Sequence, residues 1–369
     1  MGHYPRAMDN RNPTAPPSSA PSSPPSANEP AWRPDVFAAR RANLEARTRS
    51  VRAVRGFFDG RGYVEVETPA LQVSPGMEPH LTPFATTLVE LAGEERRMGL
   101  HTSPEFAMKK LLAAGMERIW QLAHVFRNGE RSARHHPEFS MLEWYRAGAG
   151  WRDIAAETVD LVRAVAGPVA RHKGHAVDLM GDWEYLSVQD AFARHAGIDL
   201  LATTPDPLAP DAMALRKEAA RIGIRTVDAD TWEDLFFRIL LERIEPRLGF
   251  DTPCIFHSYP ASMAALARRN PDDPRVADRF EVFVAGLELA NGYGELTDAA
   301  EQRRRFEADA AQKDALGGEA WPSDADFLAA LEAGIPDCAG IALGFDRLVM
   351  LATGAERIED VLWLPVAEG

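Results

Sequence analysis

The sequence predicts an α+β fold, an antiparallel sheet flanked by helices. Strand-like runs come in pairs separated by turns or polar loops, and helices follow them with no βαβ rhythm. The chain has 369 residues, 46% hydrophobic and 26% charged, which is length enough for one large core or two modest ones.

Residues 1–34 are rich in Pro, Ser and Ala and lack the apolar core of a secretory signal, so a disordered tail is expected there. Residues 36–62 carry Val36, Phe37, Leu44, Val51, Val54, Phe57 and Phe58 at helical spacing, and the helix should stop at Gly60 and Gly62. In "YVEVETPAL" Tyr63, Val64 and Val66 suit a strand that Pro69 ends. Residues 81–98 read as strands around a Gly93-Glu94-Glu95 turn. "SPEFAMKKLLAAG" reads as a helix with Ser103 as N-cap, Pro104 at the first position and Gly115 as its stop. Two strands, 119–127 and 139–146, enclose a long polar loop. The stretch 151–249 reads as a mostly helical insertion with Pro-rich interruptions and no evident chemistry. Strands resume at 253–259. A hairpin over 279–296 should turn near Ala285-Gly286, and 341–353 runs from strand to helix. Residues 35–369 are thus expected to form one folded domain around that insertion.

The formal net charge is −14, which weighs against a polyanion as the main partner. Two cysteines, Cys254 and Cys338, point to free thiols in a reducing, cytoplasmic setting. No run of about 18 apolar residues suggests a membrane span. His124, His135 and His136 have no Cys pair or H-E-x-x-H spacing beside them, which argues against zinc. Ser103 has no Gly-x-Ser-x-Gly turn around it, so a cap or pocket wall suits it better than a nucleophile.

Three segments can carry chemistry. In "VFRNGERSARHHPEFSMLEWYR", Arg127 closes one strand and Phe139 opens the next. A guanidinium can fork onto phosphate and a ring can stack on a base, although an ordinary hairpin with a solvated loop reads the same. "RFEVFVAGLELANGYGEL" offers Glu281, Glu288 and Glu295 at steps of seven. Carboxylates on neighbouring strands suit a hard divalent cation, and solvated surface glutamates are the alternative. "GIALGFDRLVMLATG" runs from a Gly-rich strand into a helix bearing Arg347, which can hold a terminal phosphate. It is not a Walker loop.

In order, these segments resemble the signature motifs of class II aminoacyl-tRNA synthetases, most closely the lysyl branch. "TSPEFAMKKLL" is similar to T-A-P-E-L-x-L-K-R-L, and "RNGERSARHHPEFSMLEWY" to R-N-E-x-x-x-x-R-H-N-P-E-F-T-M-x-E-x-Y. "ELANGYGEL" is similar to E-I-x-N-G-F-S-E-L, and "LGFDRL" to I-G-I-D-R-L. The resemblance is closer still to the truncated lysyl paralogues that attach (R)-β-lysine to a lysine of elongation factor P. Residues 1–34 leave no room for an anticodon-binding OB-fold, Ser103 stands where lysyl enzymes have Ala, and Ala342 stands where they have Gly.

The resemblance implies the class II catalytic fold, ATP and Mg²⁺, a homodimer, elongation factor P as acceptor, and no tRNA. Pro69 matches the motif that builds the class II dimer interface. Arg127 would bridge the substrate carboxylate and the α-phosphate, Phe139 would stack on adenine, and Arg347 would hold the γ-phosphate. Asn128, Gly129, His135, His136, Leu289 and Gly344 would complete the ATP site, and Glu281 and Glu288 would bind Mg²⁺. Glu105 would receive the backbone amine, and Glu143, Tyr145 and Glu295 the side-chain ammonium. Asn291 would lie near the carboxylate, while Ser103, Pro104 and Ala342 would shape the pocket. Two positions depart from the pattern: Gly129 replaces a Glu, with Glu130 one place later, and His136 replaces an Asn. The implied reaction is adenylation of (R)-β-lysine followed by amide formation. A ligase for L-α-lysine with another acceptor, and an inactive regulatory paralogue, are the alternatives.

Overall fold

The computed structural model describes residues 29–78, 80–315, 317–318 and 321–367, so most of the expected tail, 1–28, lies outside the described residues. Helix α1 (Pro34–Asp59) opens on Pro34 and closes at Gly60. After β1 (Val64–Glu65) and β2 (Leu71–Gln72), strands β3 (Phe84–Val89) and β4 (Glu95–Leu100) form the expected hairpin, with Gly93 at φ +84°. Helix α2 (Glu105–Ala113) leads into β5 (Arg118–Phe126) and β6 (Glu138–Ala147). Then come α3 (Trp151–Ala166), β7 (Val169–His172), β8 (His175–Asp178), β9 (Glu184–Ser187), α4 (Val188–Ala196), α5 (Ala212–Arg221) and α6 (Trp232–Ile239). The chain continues through β10 (Cys254–His257), β11 (Arg279–Val284), β12 (Leu287–Gly294), α7 (Ala299–Ala315), α8 (Ala325–Ala333), β13 (Cys338–Gly344) and α9 (Phe345–Thr353).

The fold is α+β. Eight strands make one sheet in the order β1-β5-β6-β13-β12-β11-β10-β9. The inner six are antiparallel, and β1 and β9 join the two edges in parallel. The β11–β12 turn falls on Ala285 and Gly286, with φ +52° and +70°. Positive φ at both central residues is what a tight hairpin needs to follow the strand twist.

Two local readings change, and one helix carries no periodic signal. The stretch 151–249 contains strands β7, β8 and β9 besides its helices, and β9 belongs to the main sheet. Each has four residues, too few for alternation to register. Ser103 is not the N-cap of α2, since Pro104 holds that position. Ser103 Oγ accepts instead from the Glu105 backbone N–H at 3.1 Å. Finally, α7 escapes periodicity because most of it is polar and only Gln302, Arg305, Phe306 and Lys313 are buried.

Period-2 alternation gives the sheet two different faces. Trp144 and Leu142 on β6, Ile341 and Leu343 on β13, and Phe280 and Val282 on β11 face α1, α3 and α9 in the largest core. Phe58 of α1 stacks on Trp120 with centroids 4.9 Å apart. A second core lies under α4–α6, around Phe192, Leu235, Phe236 and Phe256. A third joins α2 to α7 and α8.

One buried ion pair ties the first helix to the last. Arg47 of α1 meets Asp346 of α9, and its Nη2 donates to Ser140 Oγ at 2.7 Å. The Ser140 backbone N–H donates to Asp346 Oδ2, also at 2.7 Å. Arg47 is 9% exposed and Asp346 1%. Removing one member of such a pair strands the other charge. Arg47→Met should therefore cost about 3–5 kcal/mol in denaturant unfolding, and a loss below about 1 kcal/mol would show that this pair does not seat α9.

Candidate functional site

The second face of the sheet is polar. Ala342 pairs with Glu143 on one side and Asn291 on the other, and Asn291 pairs with Glu281. Two residues along each strand, a second row runs Tyr145, Gly340, Tyr293, Arg279. These rows underlie a cavity of about 580 Å³. A Cβ at Gly340 would lie 2.2 Å from Tyr145 Cδ1 and 3.0 Å from Glu295 Oε1, so only glycine lets both side chains share this floor.

Helix α2 closes one side. Its buried stripe is Glu105, Met108, Lys109 and Leu112, at i, i+3, i+4 and i+7. Two members of that stripe are charged. Lys109 Nζ lies 2.5 Å from Glu105 Oε1 and 2.5 Å from Glu295 Oε2. Lys109 is 1% exposed. Burial opposes its charge, but the two carboxylates outweigh it and hold the ammonium well above its ordinary range.

Glu143 lies beneath the cavity wall with no exposed surface. Ser103 Oγ donates to its Oε1 at 2.6 Å, and the Tyr145 hydroxyl donates to its Oε2 at 2.9 Å. Burial, followed by the charge of Glu105, pushes the Glu143 carboxyl up to about 8, against those two hydrogen bonds and Lys109. Burial likewise raises Glu295 to about 7, with Lys109 opposing.

The other end of the cavity suits phosphate and a base. Arg127 follows β5, and its guanidinium sits 5.2 Å from the ring centroid of Phe139. Arg347, at the start of α9, donates to the Glu288 carbonyl at 2.7 Å and to His135 Nε2 at 2.9 Å. Burial and this guanidinium keep His135 below its usual range. Gly344 leaves room, because a Cβ there would approach Arg347 no closer than 3.5 Å.

Both departures from the motif have a local cause. Gly129 has φ +79°, a conformation that would strain a Glu, and Glu130 lines the cavity instead. His136 is buried with both ring nitrogens engaged: Nδ1 donates to the Glu138 carbonyl at 2.6 Å and Nε2 accepts from the Val366 N–H at 3.2 Å.

Glu281 and Glu288 flank the bulge between Val282 and Phe283. Burial raises Glu281 to about 7, with Arg279 opposing and the Glu288 charge adding. Two mutually repelling carboxylates fit Mg²⁺, which takes one or two carboxylates and fills its shell with phosphate oxygens and water. Among the described residues no group of three or more His, Cys, Asp or Glu forms a metal cage.

The expected residues therefore converge, with distinctions. Ser103, Glu105, Arg127, His135, His136, Phe139, Tyr145, Glu288, Leu289, Asn291, Glu295, Ala342, Gly344 and Arg347 line one cavity, whereas Pro104, Asn128, Gly129, Glu143 and Glu281 stand behind or beside it. Sequence reasoning missed Lys109, Arg279 and Tyr293. A Glu–Lys pair at i, i+4 within an apolar helical stripe is the signal that would have found Lys109. Arg279 and Tyr293 carried only the alternation of their strands.

The chain matches the family model for class II tRNA synthetases (D, K and N) over residues 36–368. It is 43% identical over 339 residues to the elongation factor P–(R)-β-lysine ligase of Proteus mirabilis, covering 91% of this chain and 97% of that protein. The ligase of the same name from Klebsiella pneumoniae (strain 342) is 43% identical over 325 residues, 87% and 94% of the two chains. That of Yersinia enterocolitica is 42% identical over 340 residues, 91% and 98%.

Glu143, Glu281 and Glu295 keep protons in the folded chain that an unfolded carboxyl sheds near pH 4.3. The folded state therefore binds more protons, and the stability these groups contribute is lost as pH rises through their folded values. The melting temperature of the ligand-free protein should fall from about pH 4.5 to about pH 8 and then level, with a shallower slope in Glu143→Gln. Equal slopes in the two proteins would show that Glu143 ionises normally.

Proposed function

The chain belongs to the class II tRNA synthetase family and is a ligase, and from that premise we propose that it activates (R)-β-lysine with ATP and transfers it to the ε-amine of a lysine on elongation factor P. The observation that carries this reading is the charge count around the pocket. Glu105, Glu143 and Glu295 face one buried cation, Lys109. Burial raises Glu143 and Glu295 in the ligand-free pocket, and an ammonium entering beside them would draw off those protons; with all four groups then ionised, two negative charges are left for the ligand to match. A diamino acid brings two ammonium groups to match them, and its carboxylate can turn toward Arg127. A neutral side chain would leave buried carboxylates unpaired, so the site discriminates by penalty as well as by attraction. Ser103 and Ala342 shape the space in which a shifted amino group must fit.

In the first step the substrate carboxylate attacks the α-phosphorus in line and pyrophosphate departs. No base is needed, because a carboxyl group of ordinary pKa is already ionised at neutral pH. Arg127 holds the attacking carboxylate against the α-phosphate, Phe139 stacks on the base, and Arg347 receives the terminal phosphate, so catalysis is positioning plus charge neutralisation. Glu281 and Glu288 would hold Mg²⁺, which supplies further neutralisation of phosphate charge. In the second step a lysine amine attacks the mixed anhydride, an amide forms and AMP leaves. Independence from tRNA is part of the proposal, supported by the net charge of −14. So is a reducing cytoplasmic setting, which suits two free, buried cysteines. A homodimer is inferred from the family.

The test is pyrophosphate release from ATP and Mg²⁺ without tRNA. (R)-β-lysine should support it well above L-α-lysine, and Arg127→Ala should lower it by about 10²–10³-fold. Equal or greater activity with L-α-lysine would sink the β-lysine assignment. Inactivity with both would favour a regulatory paralogue.

A further inference from the structure

The cavity has a third arm, which adjoins the amino-acid pocket at Glu78, within reach of the charges of Glu105 and Arg127. Glu78 and His80, from the loop after β2, meet Glu233 and Phe237 of α6 and Asp309 and Gln312 of α7. This arm opens outward, with the His80 side chain 62% exposed and that of Glu233 34%.

The carboxylates here are only weakly offset. Arg305, one turn before Asp309, donates to the carbonyls of Ala264 and Ala267 and to Glu301. Lys313, one turn after it, donates to the carbonyls of Glu78 and Leu81 at 3.3 and 3.0 Å. Glu233 Oε2 accepts from Gln312 Nε2 at 3.1 Å, and His80 Nε2 lies 3.6 Å from Glu233 Oε1. Among the described residues no hydrogen bond or ion pair reaches the Asp309 carboxylate. Glu78 Oε2 is fully enclosed and likewise has no hydrogen-bond partner among them. An enclosed carboxylate oxygen calls for a donor. An ammonium, with three N–H groups and a positive charge, is the donor that an acidic arm selects.

We propose that this arm admits the acceptor lysine and that the Asp309 carboxylate takes the proton its ε-ammonium must lose before it can attack. The inference rests on the ligase reading above and supplies that reaction with its base. The ammonium gives one proton to Asp309, and the freed lone pair forms the C–N bond at the carbonyl carbon of the adenylate. As the C–O bond to phosphate breaks and AMP leaves, the new nitrogen sheds its second proton to solvent through the open mouth. A free lysine amine, of pKa about 10.4, is almost wholly protonated at neutral pH, so the step needs such a group. Burial, with the charges of Glu78 and Glu233 adding and Arg305 opposing, raises Asp309 to about 7, where a carboxylate can both take and release a proton. Among the described residues His80, Lys313, Glu105, Arg127 and Tyr293 are the other charged or titratable groups around this arm, and the carbonyl contacts of Lys313 hold it to the loop.

The two half-reactions separate the possibilities. Amino-acid-dependent exchange of pyrophosphate into ATP reads adenylation. Single-turnover chase of preformed enzyme–adenylate with purified elongation factor P reads transfer. Asp309→Asn should keep exchange within about 2-fold, which also reports folding, and slow transfer at pH 7 by about 10²-fold. The transfer defect should shrink as pH rises toward 10, where the amine deprotonates unaided. Asp309→Glu should recover part of the rate. Glu233→Gln should shift the pH profile of transfer downward by removing a like charge. Wild-type transfer in Asp309→Asn, with an unchanged pH profile, would overturn the assignment. Equal loss of exchange and transfer would also overturn it, because Asp309 would then serve adenylation or folding. An unmodified chain without exchange would instead overturn the adenylation reading, and this inference with it.

Discussion

The buried ammonium of Lys109 lets the pocket exist. Glu105 comes from a helix and Glu295 from the end of a strand, and both are almost removed from water. Left to themselves, two carboxylates so placed would take up protons or push apart. One cation 2.5 Å from each holds them in register. The same contact fixes the rotation of α2 against the sheet, because the lysine and its glutamate lie on the stripe that also buries Met108 and Leu112. Packing and recognition are therefore one arrangement, and the acidity offered to a substrate is what remains after that internal pairing.

Strand alternation does the rest. One set of side chains on β6, β11, β12 and β13 goes to α1, α3 and α9, and the other set faces the cavity. This is why a sequence such as "GIALG" can serve a core and a ligand at once: Ile341 and Leu343 fill the core, while Gly340, Ala342 and Gly344 keep the opposite face low. The bulge between Val282 and Phe283 breaks that regularity beside Glu281 and Glu288, where two carboxylates must approach one another.

Much of this is legible in the sequence. The hairpin at Ala285-Gly286, the strand pair around the polar loop and the strand-to-helix unit at Arg347 all follow from local pattern, and the motif residues fall around one cavity. What escaped was non-local. The four-residue strand β9 is a strand only because β10 lies beside it. Glu143 looked like a direct ligand for an ammonium, but whether a carboxylate reaches the cavity or sits behind Ser103 and Tyr145 depends on how α2 docks. Gly129 departs from the motif, and its positive φ gives the substitution a backbone reason. Asp309 lies on a charged helix without periodicity, and nothing along the chain announces that Glu78 and Glu233 will meet it.

The contacts of Arg40 have a practical consequence. Its guanidinium donates to the carbonyl of Glu359 at 2.6 Å and of Leu362 at 3.1 Å, so the first helix and the last turn close on each other. Arg40 Nη2 also donates to the carbonyls of Ala31 and Trp363 at 3.3 and 3.5 Å, so the approach to α1 and the last described turn share one corner. A short linker from Trp363 to Ala31 could close that corner and new ends be opened in an exposed loop, the usual requirement for circular permutation. Reporter groups attached at Ala31 and Trp363 would sit side by side and register the opening of that corner before the sheet itself gave way.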